Sequence, residues 1–223
     1  LARDGRLPRD LDGIYEVMAK LTAWAKTNAP QLQTITVQGS PYHNGGASTT
    51  QELAFALATA VDYLRAMQAR GLSIDDIAPR IRFSLSIGTN FFMEIARLRA
   101  ARLLWAKIVQ AFGGNEASQK MSLHARTSAW NQTVYDPHVN LLRATTEAFS
   151  GAVGGCDSLH ISPFDELVRV PDEFSRRVAR NTHTVLREES HITRTVDPAG
   201  GSWYVENLTD SVARKTWAIF QEV

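Results

Sequence analysis

The chain has 223 residues, 44% of them apolar, with 24 Lys and Arg against 23 Asp and Glu and a single Cys. A near-zero net charge excludes a polybasic nucleic-acid or membrane-surface partner, since both require a clustered excess of Lys and Arg, and one Cys excludes an internal disulfide framework. No apolar run reaches the roughly 20 residues of a membrane span, and Leu1-Ala-Arg-Asp-Gly-Arg has no apolar signal core, so the expectation is a soluble, cytoplasmic globular chain.

Leu1 stands where an initiator Met is usual, which predicts a piece of a longer protein. Residues 1–33 read as an N-terminal helical segment. The first β-branched run, Thr34–Ser40, predicts a strand, and Thr49-Thr50-Gln51-Glu52 has the spacing of a capping box with Thr49 as the cap and Glu52 three residues on. The following helix carries Leu53, Phe55, Ala56, Leu57, Ala60, Val61, Leu64 and Met67 as a broad apolar face. A second strand over Ile81–Gly88 leads to a helix capped by Asn90 and ending at Phe112 before Gly113-Gly114. Arg97, Arg99 and Arg102 on that helix are expected on a solvated face. The third strand covers Lys120–Ser128, and its helix opens at Asp136-Pro137 and closes near Gly154-Gly155. Cys156, after that glycine pair, reads as a small buried residue. The fourth strand, Asp157–Ser162, precedes a helix from Pro171-Asp172 to about Glu189. A last helix follows the turn Asp197-Pro198-Ala199-Gly200-Gly201, starting at about Leu208.

Strand starts about 37 to 47 residues apart have the size of βα units with generous loops. The fold class is therefore α/β with a parallel sheet, either an open doubly wound sheet or part of a (β/α)8 barrel. In both, functional groups gather beyond the carboxyl ends of the strands. Here those ends carry Tyr42-His43, Thr89-Asn90, His124 to Ser128 and His160 to Glu166. His43 suits acid–base work near neutral pH, or a turn in a plain surface loop. Glycines at 39, 45 and 46 do not make a dinucleotide fingerprint. His124 and His160, with Asp165 or Glu166, are a minimal metal set or simply satisfied histidines. Ser158 and Ser162 lack a nucleophile elbow.

At these strand ends the chain resembles the adenosylcobalamin-dependent acyl-CoA mutases. The matching stretches are Gln51 to Phe55, Ala78-Pro79-Arg80, Ile87 to Ala96, Thr127 to Trp130, Ser158-Leu159-His160, Phe164-Asp165-Glu166, Ala179 to Thr182, Glu188-Glu189-Ser190 and Asp197 to Ser202. The resemblance implies a (β/α)8 TIM barrel threaded by an acyl-CoA, with this chain as its C-terminal half. Residues 34–206 would be four βα units, and residues 207–223 a helix leading toward a cobalamin-binding domain. That domain, with its Asp-x-His-x-x-Gly motif, and the first half-barrel lie outside this sequence. Carried over by position, the resemblance implies His43 and His124 as groups for the thioester carbonyl if the chain is catalytic. It implies Arg80, Arg126 and Ser158 on the substrate side, Trp130 and Glu166 near the cofactor, and no metal ligand beyond the cobalamin.

The pattern is broken at the pocket. Where the family's catalytic strand end carries its Tyr and His, an ungapped alignment places Ser40 and Pro41, with Tyr42-His43 two residues late. A family Gln after His124 is Arg126, and another before Ser158 is Asp157. Tyr42 to Ser48 and His124 to Pro137 resemble instead the small, non-catalytic subunit of heterodimeric mutases. The implied role is a structural subunit partnered by a large subunit; the alternatives are a catalytic half-barrel and an unrelated α/β metal-dependent enzyme.

Overall fold

The computed structural model describes Gly5, Leu7 and residues 10–223. Eight helices and four strands alternate along the described residues: α1 (Leu11–Asn28), β1 (Ile35–Gln38), α2 (Ser40–Asn44), α3 (Thr49–Gln68), α4 (Ile74–Ile77), β2 (Ile81–Ile87), α5 (Phe91–Ala111), β3 (Ser122–Thr127), α6 (Val139–Val153), β4 (Ser158–His160), α7 (Glu173–Thr184) and α8 (Trp203–Glu222). The strands form one parallel sheet in the order β1-β2-β3-β4, as successive right-handed βα units dictate. This is the α/β, parallel (β/α) class expected, and it fits a partial barrel.

The chain packs as two compact units, Leu1–Ser84 with Ala101–Leu123 and Ala213–Val223, and Leu85–Ala100 with His124–Val212. In the first, Ile35 pairs with Ile81 and Gln38 with Ser84. Ile35, Val37, Ile81 and Phe83 are buried while Thr36, Gln38 and Arg82 are exposed, the period-two alternation of a half-covered strand pair. Phe83 meets Trp105 edge-on at 4.9 Å between ring centroids. In the second unit, His124 pairs with Ser158 and Arg126 with His160. Ala144 and Ala148 of α6 pack with Ile161 and Ala179.

Several boundaries differ from the sequence expectation for identifiable reasons. The cap of α3 is Ser48, whose hydroxyl accepts the Gln51 N–H while the Gln51 side chain accepts the Ser48 N–H. Glu52, expected to close that box from Thr49, is instead fully buried. Asn90 caps α5 as expected, accepting the Met93 N–H. Asp136-Pro137 does not open α6. Val139, Asn140 and Leu141 donate to carbonyls three residues back, at 136, 137 and 138, so that stretch is wound more tightly than an α-helix. Helix α8 starts at Trp203, where the Glu206 N–H already reaches the Ser202 carbonyl at 2.9 Å. Cys156 is half-buried rather than buried.

The arginines of α5 are the main correction. Arg97 is fully buried, bound to Glu94 one turn back and to the Ser86 carbonyl. Arg99 is held by Asp197 and Glu206, and Arg102 donates to the Met121 carbonyl. None of the three is a solvated charge. Asp197 has φ 46°, a left-handed conformation an aspartate adopts at some cost, and the Arg99 ion pair fastens it there.

Candidate functional site

Because α3 and α5 cover the apolar faces of their strands, the other faces are left to polar side chains, and candidate groups lie on those faces or just beyond the strand ends. Within the first unit, β1 runs into α2 with Pro41 in its first turn, a position where proline loses no helical hydrogen bond. Tyr42 and His43 therefore sit on a helical turn, not in the loop that the nearby glycines suggested. The Thr59 hydroxyl donates to the Phe55 carbonyl at 2.8 Å, so the Tyr42 hydroxyl, 2.9 Å from the Thr59 oxygen, must donate to it. The Tyr42 ring lies 5.5 Å from that of Phe55. His43 Nδ1 lies 3.4 Å from the buried Glu52 carboxylate. Both side chains are engaged by α3.

Arg80 stands before β2, at the opposite end of the parallel strands from His43. It is buried, and its Nη1 donates to the carbonyls of Ala29 at 2.9 Å and Leu32 at 2.8 Å, tying the α1–β1 connection to the start of β2. The same unit contains a cavity of about 970 Å³ lined by Tyr15, Thr36, Tyr42, Phe55, Thr59 and Asp62, among others. Tyr15 donates to Asp62, and Arg70 lies over its ring at 5.4 Å. Burial, then the Asp62 contact, pushes the Tyr15 hydroxyl well above the ordinary phenol range.

Within the second unit the exposed faces of β3 and β4 carry His124, Arg126, Ser158 and His160. His124 Nδ1 and the Ser158 hydroxyl are 2.8 Å apart. Arg126 reaches the Glu166 carboxylate at 2.5 Å, an ion pair that is part-exposed on both sides. His160 is the register partner of Arg126. Burial first and the Arg126 charge second lower its imidazole below the usual value, so it is neutral at pH 7. The structure thus brings together four predicted site residues in two contacts, His124 with Ser158 and Arg126 with Glu166. Trp130 lies in the turn that leaves β3 and is 63% exposed. Asp157 is exposed. Among the described residues no group of three or more His, Cys, Asp or Glu side chains could hold a metal ion, so His124 and His160 do not form the metal set considered from sequence. Among them, too, no helix is long and apolar enough to cross a membrane.

Sequence reasoning missed the support beneath this face. Glu147 of α6 is almost fully buried. It accepts the Ser128 N–H at 3.0 Å and the Asn131 amide at 3.4 Å. The signal was available: Glu147 falls between Ala144, Ala148 and Gly151 on the inward stripe of α6, and a carboxylate in an apolar stripe must have buried partners.

The comparisons agree with this arrangement. The methylmalonyl-CoA mutase family profile matches residues 2–223. A methylmalonyl-CoA mutase of Escherichia coli (strain K12) is 43% identical over 93% of this chain and 29% of its own length. A methylmalonyl-CoA mutase small subunit of Streptomyces virginiae is 44% identical over 94% of this chain and 34% of its own length, and a methylmalonyl-CoA mutase large subunit of Propionibacterium freudenreichii subsp. shermanii is 43% identical over 93% of this chain and 29% of its own. The chain therefore spans about a third of the length of the curated relatives it matches. Sheet order, helix placement and extent of match lead to one conclusion: the chain belongs to the methylmalonyl-CoA mutase family.

Proposed function

We propose that the chain is part of a methylmalonyl-CoA mutase-like isomerase, which interconverts methylmalonyl-CoA and succinyl-CoA, and that it serves there as the small, structural subunit beside a catalytic large subunit. The Arg126–Glu166 ion pair carries this proposal. A pocket for a neutral thioester and its radicals is served by neutral hydrogen-bond donors; here a guanidinium stands at that position and its charge is spent on Glu166. Tyr42 and His43 are engaged by Thr59 and Glu52, and His124 by Ser158. Each contact serves the cohesion of a unit and leaves less for a substrate carbonyl.

The family's radical chemistry is supplied by adenosylcobalamin when bound. The residues present fit that group in part. Trp130 offers an exposed indole, and Glu166 Oε2 is buried with no hydrogen-bond partner in the structure, as an acceptor for a ribose hydroxyl would be. Arg126 holds the other Glu166 oxygen in place. Ser158 would lie on the pantetheine side, and Arg80 would meet a CoA phosphate only by releasing the Ala29 and Leu32 carbonyls. On this reading residues 34–206 supply four barrel units of a cytoplasmic enzyme, and α8 (Trp203–Glu222) runs across the end of that span.

The test is His43→Ala and His124→Ala, singly, in the assembled two-subunit enzyme. The structural-subunit role predicts turnover within about twofold of the parent. A loss of a hundredfold or more, the scale of a missing positioned acid or base, would make this barrel catalytic and overturn the proposal.

A further inference from the structure

Beneath the carboxyl ends of β2 and β3 lies a buried polar cluster that the proposed function does not use. Glu94 and Arg97 contribute from α5, Glu147 from α6, and Ser128 and Asn131 from the turn that leaves β3. Glu94, Arg97 and Glu147 are all almost fully excluded from solvent. The Ser128 N–H is shared between the Ile87 carbonyl at 2.9 Å and Glu147 Oε2 at 3.0 Å, while Asn131 Nδ2 faces Glu147 Oε1 at 3.4 Å. Gly88 makes room for this: a Cβ there would lie 3.2 Å from Glu94 Oε1 and 3.4 Å from Asn131 Nδ2. The two loop residues bound to Glu147 bracket Trp130, whose indole is largely in solvent. An exposed ring of that size has little packing of its own to orient it, so its direction depends on the backbone at its two flanks.

We propose that Glu147 is a positioning residue: its buried carboxyl grips the turn 128–131 from both sides, sets the direction of Trp130, and links that direction to the binding of a proton. This inference stands whether or not the small-subunit role is correct, since it concerns only contacts within the second unit. The charged groups that act on Glu147 are Glu94 on α5, which raises its carboxyl, and Arg143 on its own helix, which lowers it. Burial, with the Glu94 charge behind it, outweighs the Asn131 and Ser128 hydrogen bonds and the Arg143 charge, and raises the Glu147 carboxyl to about 7. Glu147 therefore changes charge across the neutral range while holding the turn. Loss of the ionised form weakens two charge-assisted hydrogen bonds at once.

The intact protein labelled with 5-fluorotryptophan tests this, with Trp130→Phe assigning the Trp130 resonance. In Glu147→Ala the Trp130 resonance should move while the other tryptophan resonances keep their native positions, and the Ser128 amide should exchange about tenfold faster. Glu147→Gln, which keeps an acceptor for the Ser128 N–H, should restore the resonance but abolish its pH titration, which in the parent protein has a midpoint near 7. An unmoved Trp130 resonance in a folded Glu147→Ala protein overturns the proposal. So does a titration that persists in Glu147→Gln, and this second comparison decides the matter even if the alanine variant does not fold.

Discussion

Arg97 gives the sharpest stability prediction. Its guanidinium is wholly buried and rests between the Glu94 carboxylate at 2.5 Å and the Ser86 carbonyl. Arg97→Met keeps most of the volume but removes the cation, leaving Glu94 buried close to Glu147 with no guanidinium between it and the protein interior. Breaking a buried pair by removing one partner costs about 3–5 kcal/mol. Part of that is returned if Glu94 takes up a proton, so about 3 kcal/mol is expected at pH 7. That is a large share of the roughly 5–15 kcal/mol that stabilises a typical domain. The double change Glu94→Leu with Arg97→Met removes both charges and should recover at least half of the loss, because desolvating the pair offsets most of its attraction. Urea unfolding followed by circular dichroism measures Arg97→Met, Glu94→Leu and the double variant. Arg97→Met within about 1 kcal/mol of the parent, or a double variant as unstable as the summed single changes, would contradict this.

Three further outcomes follow from the same contacts. The Glu147 carboxyl sits at about 7 when folded against an ordinary 4.5, so the native state binds the proton more tightly. The stability that this group contributes is complete below about pH 4.5 and lost as pH rises through 7. Glu147→Gln should therefore gain on the parent as pH rises from 5 to 8, by up to about 3 kcal/mol; a difference independent of pH in parallel denaturation curves contradicts this. At Gly154 a Cβ would meet Leu98 Cδ1 at 2.8 Å and the backbone at Ser150 and Ile95 at 3.1 and 3.3 Å, so Gly154→Ala should cost about 1–3 kcal/mol in the same assay. Ser48→Ala removes the cap of α3 and should cost about 1 kcal/mol, whereas Thr49→Ala should cost distinctly less.

Strands and long helices were legible because their faces are written locally. Ile35, Val37, Ile81 and Phe83 alternate with polar residues, and Leu53 to Met67 recur at helical spacing. The errors over the α5 arginines and the α3 cap share one cause: a charge or a cap was read without its partner. Arg99 looked solvated because its carboxylates come from Asp197 and Glu206, far along the chain, though the Glu94–Arg97 pair was visible as an i, i+3 spacing. The capping box slipped by one residue because Ser48 and Thr49 both offer a hydroxyl, and only the burial of Glu52 against His43 decides between them. The predicted site residues on β3 and β4 were readable as strand-end chemistry. Their pairing, His124 with Ser158 and Arg126 with Glu166, depends on strand register and a loop return that no local pattern encodes.

As a structural subunit, this barrel segment would hold the family's scaffold without its chemistry. The most direct test is the conversion of succinyl-CoA to methylmalonyl-CoA by the intact protein containing this chain, with adenosylcobalamin added, in the absence and then the presence of a methylmalonyl-CoA mutase large subunit. No rearrangement by the protein alone is expected, and turnover only when the large subunit is present. Sustained rearrangement by the protein alone would contradict this.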